Sequence, residues 1–400
     1  MASGGLSKTR LKRLHRAAER HVAEGHVTGA ITLIDRKGEL VVDVVGSMDR
    51  ERGRPMQRDT IFRIASMSKP ITAVAAMILV EEGKLRLGEP VDRLLPELAN
   101  RQVLKDINGP VDDTVPANRP ITLRDLLTFR MGFGMALGPQ DTPMQKAIAD
   151  AQIMSLKPPP PHKPDAWIRK FGELPLMHQP GERWMYHTGS DVAGVLIARA
   201  AGMPFEDFLR ERIFEPLGMK DTGFSVPKAK AERFASCYAV NPETGALDLH
   251  DDYKTSTWLK PPAFPAGGGG MVSTVDDYLQ FGRMMLNRGK LGKERILSRV
   301  TVETMTTDQI TAAQKAASPF FPGFWDFQGW GLGMSVVTHR GAPFLTPGRF
   351  GWDGAFGTSW ASDPAEDMTG ILMIQRMGFA PTPASLNADF WTLAYQAIDD

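Results

Sequence analysis

Cysteine is almost absent from this sequence, which contains one, Cys237, in 400 residues. A lone cysteine excludes an intramolecular disulfide and a cysteine-rich metal site. The 8 histidines do not fall into a His-Glu-x-x-His or comparable ligand spacing. The glycine run at 267–270 matches neither a Walker loop nor a dinucleotide fingerprint and indicates a tight turn. We therefore predict neither a metal nor another cofactor.

Excess charge and long apolar runs are also lacking. Lys and Arg number 47 against 46 Asp and Glu, a net charge of +1, which provides no electrostatic footprint for nucleic acid or an anionic membrane. No stretch approaches the roughly 18 uncharged apolar residues of a membrane span, and the N-terminal residues lack the apolar segment of a secretory signal. We expect a cytoplasmic protein without nucleic-acid or membrane partners. The sequence does not indicate its oligomeric state.

The length and the order of patterns predict two closely packed parts. A single core rarely grows beyond about 250–300 residues, and the chain has 400. We predict an α+β fold in which residues 1–84 and 285–400 form one antiparallel sheet flanked by helices. Residues 85–284 form a second, mostly helical lobe with approximate boundaries, and the active site lies in the cleft between the two. The predicted elements are a helix at 7–25, strands at 29–35 and 39–46, a buried helix at 72–80, a capping box at Thr122 and Asp125, helices at 189–201, 205–214 and from Thr274, strands at 329–338, 355–362 and 368–376, and a helix at 385–398.

The strongest chemical signal is Ser66-Met67-Ser68-Lys69, just before the apolar run Thr72–Val80. Three residues make nearly one helical turn, so Lys69 would lie beside the Ser66 hydroxyl. The helix N-terminus supplies N–H groups and a partial positive charge where an oxyanion would form. Burial lowers the pKa of a lysine from about 10.4, which would let Lys69 accept a proton. The pattern favours a nucleophilic serine with its base, although a helix-capping serine is the alternative.

A second Ser-x-x-Lys pattern, Ser225-Val226-Pro227-Lys228, follows Pro216-Leu217-Gly218. The proline inside it and the turn residues before it predict a loop rather than a helix. We predict that this copy has no catalytic role.

Further motifs give the chain a family resemblance. The Ser66 motif is followed about 120 residues later by Tyr186-His187-Thr188, after Pro180-Gly181-Glu182. Four more stretches fit the same pattern: Pro90–Pro96, Leu123–Thr128, Pro216–Met219 and Gly267–Thr274. The chain resembles the serine β-lactamase and penicillin-binding-protein superfamily, and within it class C β-lactamases and family VIII carboxylesterases. The resemblance runs from about residue 10 to 395 and implies a β-lactamase/transpeptidase-like fold.

The resemblance implies roles for three residues. Ser66 would be acylated, Lys69 would be its helical partner, and Tyr186 would help to accept the serine proton and deliver it to the leaving group. A phenol has a reference pKa of about 10 and is a poor base at neutral pH unless a neighbouring ammonium favours phenolate. We therefore expect Tyr186 to lie against Lys69.

The third family motif is Lys-Thr-Gly in β-lactamases and typically Trp-Gly-Gly in the esterases, and it aligns with Trp352-Asp353-Gly354. The N–H of Ala355 would then join that of Ser66 in the oxyanion hole. Gly354 would let the strand edge approach a substrate closely. A competing alignment places Arg349-Phe350-Gly351 at this motif, with arginine replacing lysine.

Differences from the β-lactamase pattern favour neutral esters. Trp352 stands where β-lactamases place a cation for the substrate carboxylate, and Asp353 adds a negative charge. Thr188 replaces the asparagine usual after the tyrosine, so an acylamide side chain loses a hydrogen-bonding partner. Phe133 and Phe356, with Trp352, are candidates for an apolar acyl or alcohol pocket, although aromatic residues equally form ordinary core.

His187 beside Tyr186 raises a Ser-His-Asp alternative. Adjacent residues of an extended segment point in opposite directions, which argues against this alternative. The chain also contains no Gly-x-Ser-x-Gly elbow, which argues against an α/β-hydrolase.

The sequence therefore predicts a serine carboxylesterase that cleaves small neutral esters through an acyl-Ser66 intermediate. Acyl transfer, D-amino-acid peptidase or amidase activity, and weak β-lactamase activity would use the same site. A catalytically silent binding or assembly protein is the alternative from another class. The joint presence of Ser66, Lys69 and Tyr186 argues against that alternative.

Overall fold

A computed structural model describes residues 4–135, 141–155, 157, 159–378 and 385–400. The α-helices are α1 Lys8–Ala23, α2 Ser68–Glu81, α3 Leu123–Leu127, α4 Pro143–Ala151, α5 Pro164–Glu173, α6 Thr188–Ala201, α7 Phe205–Leu209, α8 Glu215–Leu217, α9 Val275–Leu286, α10 Arg299–Met305, α11 Ala312–Ala317 and α12 Leu386–Gln396. The strands are β1 Gly29–Arg36, β2 Glu39–Asp49, β3 Arg54–Pro55, β4 Phe62–Arg63, β5 Gln102–Leu104, β6 Thr114–Pro116, β7 Cys237–Val240, β8 Leu247–Asp251, β9 Val272–Ser273, β10 Lys290–Leu291, β11 Glu294–Arg295, β12 Gln328–Trp330, β13 Ser335–Val337, β14 Phe350–Asp353, β15 Ser359–Asp363, β16 Met368–Met373 and β17 Arg376–Met377.

Strands from both ends of the chain form one antiparallel sheet. Its order is β12-β13-β14-β15-β16-β1-β2-β3. The two ends meet where β1 pairs with β16, with Ile31 opposite Met373. Every residue of β1 is buried, as expected for a central strand covered on both faces. The predicted α+β fold with an antiparallel sheet is confirmed.

Helices cover both faces of the sheet. On one face α1 and α12 pack together, with Leu14 and Phe390 in one apolar cluster with sheet residues. On the other face α9 contacts β15 and β16, where Gly282 lies against the indole of Trp360. Helix α9 falls within the range predicted for the second lobe, yet it packs on the sheet. The boundaries at 84 and 285 stay a prediction.

Helix α2 is buried around its whole circumference, as its uniformly apolar sequence predicts. All residues from Ser68 to Leu79 are buried. A 3₁₀ turn, Ala65–Met67, precedes it, and the Tyr278 hydroxyl of α9 donates to the Met67 carbonyl at 2.8 Å. The turn and helix that carry the Ser66 motif are therefore fixed between the sheet and α6, which packs against α2.

The sequence patterns located most elements, including the strand at 368–376 that begins with β16, but they merged two strands and missed another near the C-terminus. The predicted strand at 329–338 is two strands, β12 and β13, joined at 331–334. Strand β14 was not predicted, because Phe-Gly-Trp-Asp shows no clear alternation of apolar and polar residues. Among the described helices, each is too short or too polar to cross a membrane.

Candidate active site

Ser66 and Lys69 meet at the start of α2 as the spacing predicts. The Lys69 ammonium nitrogen, Nζ, lies 2.9 Å from Ser66 Oγ. Ala65 precedes the serine with a φ of 43°, a left-handed conformation that is uncommon for a residue with a side chain. Both side chains are enclosed, with Ser66 4% and Lys69 0% exposed. The strained turn therefore presents a serine hydroxyl to a buried amine.

Three acceptors surround Lys69 Nζ. Besides Ser66 Oγ, the Gly268 carbonyl lies at 2.5 Å and His187 Nδ1 at 3.1 Å. Burial lowers the pKa of Lys69 to about 7, and the nearby Asp191 carboxylate opposes this shift. A substantial fraction of Lys69 is therefore neutral at physiological pH, as a general base requires.

Tyr186 lies against Lys69, with the ring centroid 4.5 Å from Nζ. Its phenol oxygen hydrogen bonds with the Ser66 hydroxyl and accepts the indole N–H of Trp352 at 2.6 Å. Burial raises the pKa of Tyr186 far above its ordinary value, against the lowering effect of both hydrogen bonds. The expectation that a neighbouring ammonium favours phenolate is thus wrong: desolvation dominates, and Tyr186 is a neutral phenol.

Strand β14 brings Trp352-Asp353-Gly354 beside the nucleophile turn. A Cβ at Gly354 would lie 2.4 Å from the Ile64 carbonyl, so only glycine allows this approach. Arg349, at the other end of the strand, places its guanidinium 4.1 Å from the Trp391 ring on the α12 side. The geometry thus favours the first of the two alignments of the third motif.

A cavity of about 490 Å³ opens over this strand. Five predicted site residues line it: Tyr186, Trp352, Asp353, Gly354 and Ala355. Phe320, Phe321 and Phe324 form an aromatic wall that was not predicted. The signal was present in the aromatic-rich run 320–330, but its position over the cleft depends on long-range packing. Ser66 is not among the lining residues.

Asp353 is solvent-accessible on this cavity wall. The Ser359 hydroxyl donates to its carboxylate at 2.5 Å. The surrounding protein raises the pKa of Asp353 by desolvation, while Ser359 and Arg349 oppose that shift. Arg349 lines the same cavity, so the cleft contains a cation, and it is the arginine that the competing alignment had placed at the third motif.

Three predicted substrate-binding residues lie elsewhere. Phe133 is 0% exposed and packs edge-to-face on Phe171 in the core. Phe356 is 1% exposed and packs on Trp258. Thr188 is 0% exposed, and begins α6 with its hydroxyl turned towards a methionine sulfur. These predictions are wrong because each side chain fills the core instead of facing the cavity.

The argument against His187 assumed an extended backbone at Tyr186 and His187, and this assumption is wrong. Its φ of 91° and ψ of −70° belong to a rare, strained γ-turn. The turn directs both Tyr186 and His187 towards Lys69. Asp191, one helical turn later, lies 3.3 Å from His187 Nε2. The site therefore contains a histidine–aspartate pair, joined to Lys69 instead of directly to the serine.

The second Ser-x-x-Lys pattern lies outside the site. Ser225 occupies a bend, and Lys228 is exposed at the start of a 3₁₀ turn, Lys228–Arg233. Within the described residues, no group of three or more His, Cys, Asp or Glu side chains is arranged to hold a metal ion.

Comparison with known proteins assigns the chain to a family. The Beta-lactamase family model matches residues 14–389. The chain belongs to the β-lactamase family. Protein Rv1367c of Mycobacterium tuberculosis is 40% identical over 371 residues, which cover 90% of this chain and 89% of that protein. Esterase EstB of Burkholderia gladioli is 30% identical over 380 residues, which cover 90% and 89%.

A solved structure extends the assignment to the whole fold. The chain is similar to "EstCE1, a hydrolase with promiscuous acyltransferase activity", with a TM-score of 0.77 and 25% identity over 97% of this chain and 99% of that one. The β-lactamase/transpeptidase-like fold is confirmed. Together with the family match, the likeness identifies this member of the β-lactamase family as a serine hydrolase.

Proposed function

We propose that the protein is a family VIII-like carboxylesterase that cleaves small neutral carboxylic esters through an acyl-Ser66 intermediate. The observation that carries this proposal is the 2.9 Å contact between Ser66 Oγ and Lys69 Nζ, where burial lowers the pKa of the lysine to about 7. A buried amine that is partly neutral can take the serine proton without a histidine.

In the acylation step, Ser66 Oγ attacks the ester carbonyl and its proton passes to neutral Lys69. The N–H groups of Ser66 and Ala355 stabilise the negative charge on the former carbonyl oxygen. The tetrahedral intermediate then expels the alkoxide, which takes the proton of the Tyr186 phenol. Because burial keeps Tyr186 protonated, it is suited to act as this acid. The protonated Lys69 then returns the serine proton to the Tyr186 phenolate.

In the deacylation step, water attacks the acyl-Ser66 carbonyl. Neutral Lys69 and Tyr186 again carry the protons, since the same groups must serve the reverse of alcohol expulsion. Ser66 regains its proton as the carboxylic acid leaves, which restores the free enzyme.

The cavity supports neutral esters with an apolar group. Trp352 occupies the position beside Tyr186 and donates to its oxygen, and Phe320 and Phe324 continue the aromatic wall. Asp353 on the same wall repels an anionic group placed close to the reacting carbonyl. The relative from Burkholderia gladioli is an esterase, which agrees with this substrate class.

The test of this proposal is the hydrolysis of p-nitrophenyl acetate, butyrate and octanoate, with a chromogenic cephalosporin and D-alanine p-nitroanilide as alternatives. We expect the esters to be hydrolysed with kcat/KM at least about 100-fold above either alternative, since Trp352 stands where β-lactamases place a cation and Asp353 adds a negative charge on the cavity wall. Mass spectrometry after rapid quenching should find the acyl group on Ser66. Preferential hydrolysis of the cephalosporin or the anilide would contradict the ester assignment.

The pH dependence of the reaction should follow Lys69. Because its pKa is lowered to about 7, protonation below pH 7 removes the base and kcat/KM should fall about tenfold per pH unit. Above pH 8 the profile should be flat until the phenol or the fold titrates. An acid limb near pH 4–5 would instead indicate a carboxylate base, and the rate should be measured in buffers of constant ionic strength.

Acyl transfer is the second candidate function. It is favoured by the likeness to EstCE1, a hydrolase with promiscuous acyltransferase activity. The test is to add a simple alcohol to the ester assay and to compare the yield of the new ester with that of the acid. If millimolar alcohol gives more of the new ester than of the acid, acyl transfer is the main reaction and hydrolysis is the side reaction.

A further inference from the structure

The amine of Lys69 has three hydrogen-bonding partners, and which of them accepts its N–H groups decides where its lone pair points. Its Nζ faces Ser66 Oγ, the Gly268 carbonyl and His187 Nδ1. A neutral amine has two N–H groups and one lone pair. If the Gly268 carbonyl and His187 Nδ1 accept the two N–H groups, the lone pair is left pointing at the serine hydroxyl.

This arrangement requires one particular tautomer of His187. Nδ1 must carry no proton, so Nε2 must carry it and donate to a neighbour. Asp191 Oδ2 lies 3.3 Å from Nε2 and is an acceptor only. The other carboxylate oxygen is held in place because it accepts the Gly268 N–H at 2.7 Å. Gly268 thus fixes both the amine, through its carbonyl, and the carboxylate, through its N–H.

We propose that His187 and Asp191 are positioning residues that orient the Lys69 amine, so that its lone pair faces Ser66 during proton transfer. This inference rests on the proposed function of Ser66 and Lys69. Asp191 sets the tautomer of His187. His187 Nδ1 and the Gly268 carbonyl then accept the two N–H groups of neutral Lys69. The lone pair of the amine is left facing the Ser66 hydroxyl.

The backbone supports this role. His187 holds its φ of 91° although such a conformation is strained for a residue with a side chain. Strain of this kind persists where the surroundings fix it, and it concentrates at functional sites. A Cβ at Gly268 would lie 2.9 Å from Asp191 Oδ1 and 3.1 Å from the His187 ring. The three residues are packed as one unit.

The charged groups around His187 and Asp191 decide whether His187 is protonated. Lys69 and Asp191 are the charged groups that face His187, the first from α2 and the second from α6. Ser66 and Tyr186 are the other titratable neighbours of Lys69, and Asp353 acts on Tyr186 from β14. Burial and the Lys69 charge lower the pKa of His187. The histidine is therefore neutral at pH 7 and accepts from Lys69 instead of competing with it for the proton.

Asp191→Asn is the sharpest test because it leaves the strained residue untouched. The oxygen of the introduced amide still accepts the Gly268 N–H, so the amide NH₂ group faces His187 Nε2 and forces the opposite tautomer. His187 Nδ1–H then donates to Lys69 and draws the lone pair away from Ser66. We expect kcat to fall about 10- to 100-fold, the usual cost of removing an orienting partner. Because the Asp191 charge raises the pKa of Lys69, the acid limb should also move to lower pH.

His187 variants separate orientation from packing. His187→Asn keeps an acceptor near the Nδ1 position and tolerates positive φ, whereas His187→Ala loses the acceptor. We expect His187→Ala to lower kcat about 10- to 100-fold with little change in KM, and His187→Asn to recover most of that loss. His339→Asn, at an exposed histidine, is the matched control and should behave as wild type. The thermal midpoint of each variant checks the fold.

The outcomes distinguish this inference from the function on which it rests. If Ser66→Ala retains activity, the acyl-serine proposal fails. If Ser66→Ala is inactive while Asp191→Asn and His187→Ala match wild type in kcat and in the position of the acid limb, only the orienting role is overturned. Loss of kcat with an unchanged acid limb in Asp191→Asn overturns it too, because a purely structural role predicts that result.

Discussion

Ser66→Ala is expected to lower kcat/KM for p-nitrophenyl butyrate by at least about 10⁴-fold, the scale seen when a nucleophilic serine is removed from other hydrolases. The variant cannot form the acyl intermediate, and Lys69 then has no alcohol to deprotonate. The thermal midpoint should stay close to that of wild type, because alanine fits the same 3₁₀ turn and the methionine carbonyl that anchors the turn is unchanged. The measurement is steady-state hydrolysis with a burst assay for acyl-enzyme.

Ser225→Ala is the matched control for this experiment. Ser225 begins the other Ser-x-x-Lys pattern, but it lies in a bend and Lys228 is exposed. We expect full activity, since Ser225 is not among the residues that line the cavity and has no buried amine from this motif beside it. Full activity in Ser66→Ala, or its loss in Ser225→Ala, would falsify the assignment of the nucleophile.

The fold was predictable wherever one local pattern decided it. A uniformly apolar stretch identified α2 as buried, and the capping residues of α3 are present as expected, with Thr122 and Asp125 bonded to each other's backbone N–H groups. Strand β14 was not predictable in this way. Its residues, Phe350 to Asp353, pair with β13 and β15, and those partners rather than its own alternation make it a strand.

The same distinction between local patterns and long-range packing applies to the residues of the active site. The contact between Ser66 and Lys69 follows from a spacing of one helical turn, so the sequence was sufficient. The position of His187 depends on a positive φ that a local pattern does not reveal, and the assumption of an extended backbone gave the wrong direction. The neutral state of Tyr186 depends on how much protein surrounds it, which is a property of the packed fold.

Aromatic residues show why composition alone does not define a pocket. Phe133 and Phe324 are similar in type, yet Phe133 packs on Phe171 in the core while Phe324 lines the cavity. Both bury apolar area, and the free energy gained does not depend on which surface is covered. Only the long-range arrangement, with 320–330 folded over β14, decides which of them meets a substrate.

Lys69→Arg and Lys69→Met, compared with each other, are the second test with a large expected effect. Arginine keeps the positive charge but remains protonated even when buried, and methionine keeps the length and packing but has no basic nitrogen. We expect both to lower kcat about 10²- to 10⁴-fold, the range for loss of a general base. Neither should retain the acid limb near pH 7, since the titrating amine is gone. The assay is the pH dependence of p-nitrophenyl butyrate hydrolysis.

The comparison separates three roles that a lysine can have beside a serine. If Lys69 only filled space, methionine would be close to neutral. If Lys69 only supplied a positive charge to the oxyanion, arginine would retain most of the activity. If Lys69 is a base that must lose its proton near pH 7, both variants lose activity. That outcome, with a buried lysine whose pKa is lowered to about 7, makes Lys69 the base, and substantial activity in either variant excludes it.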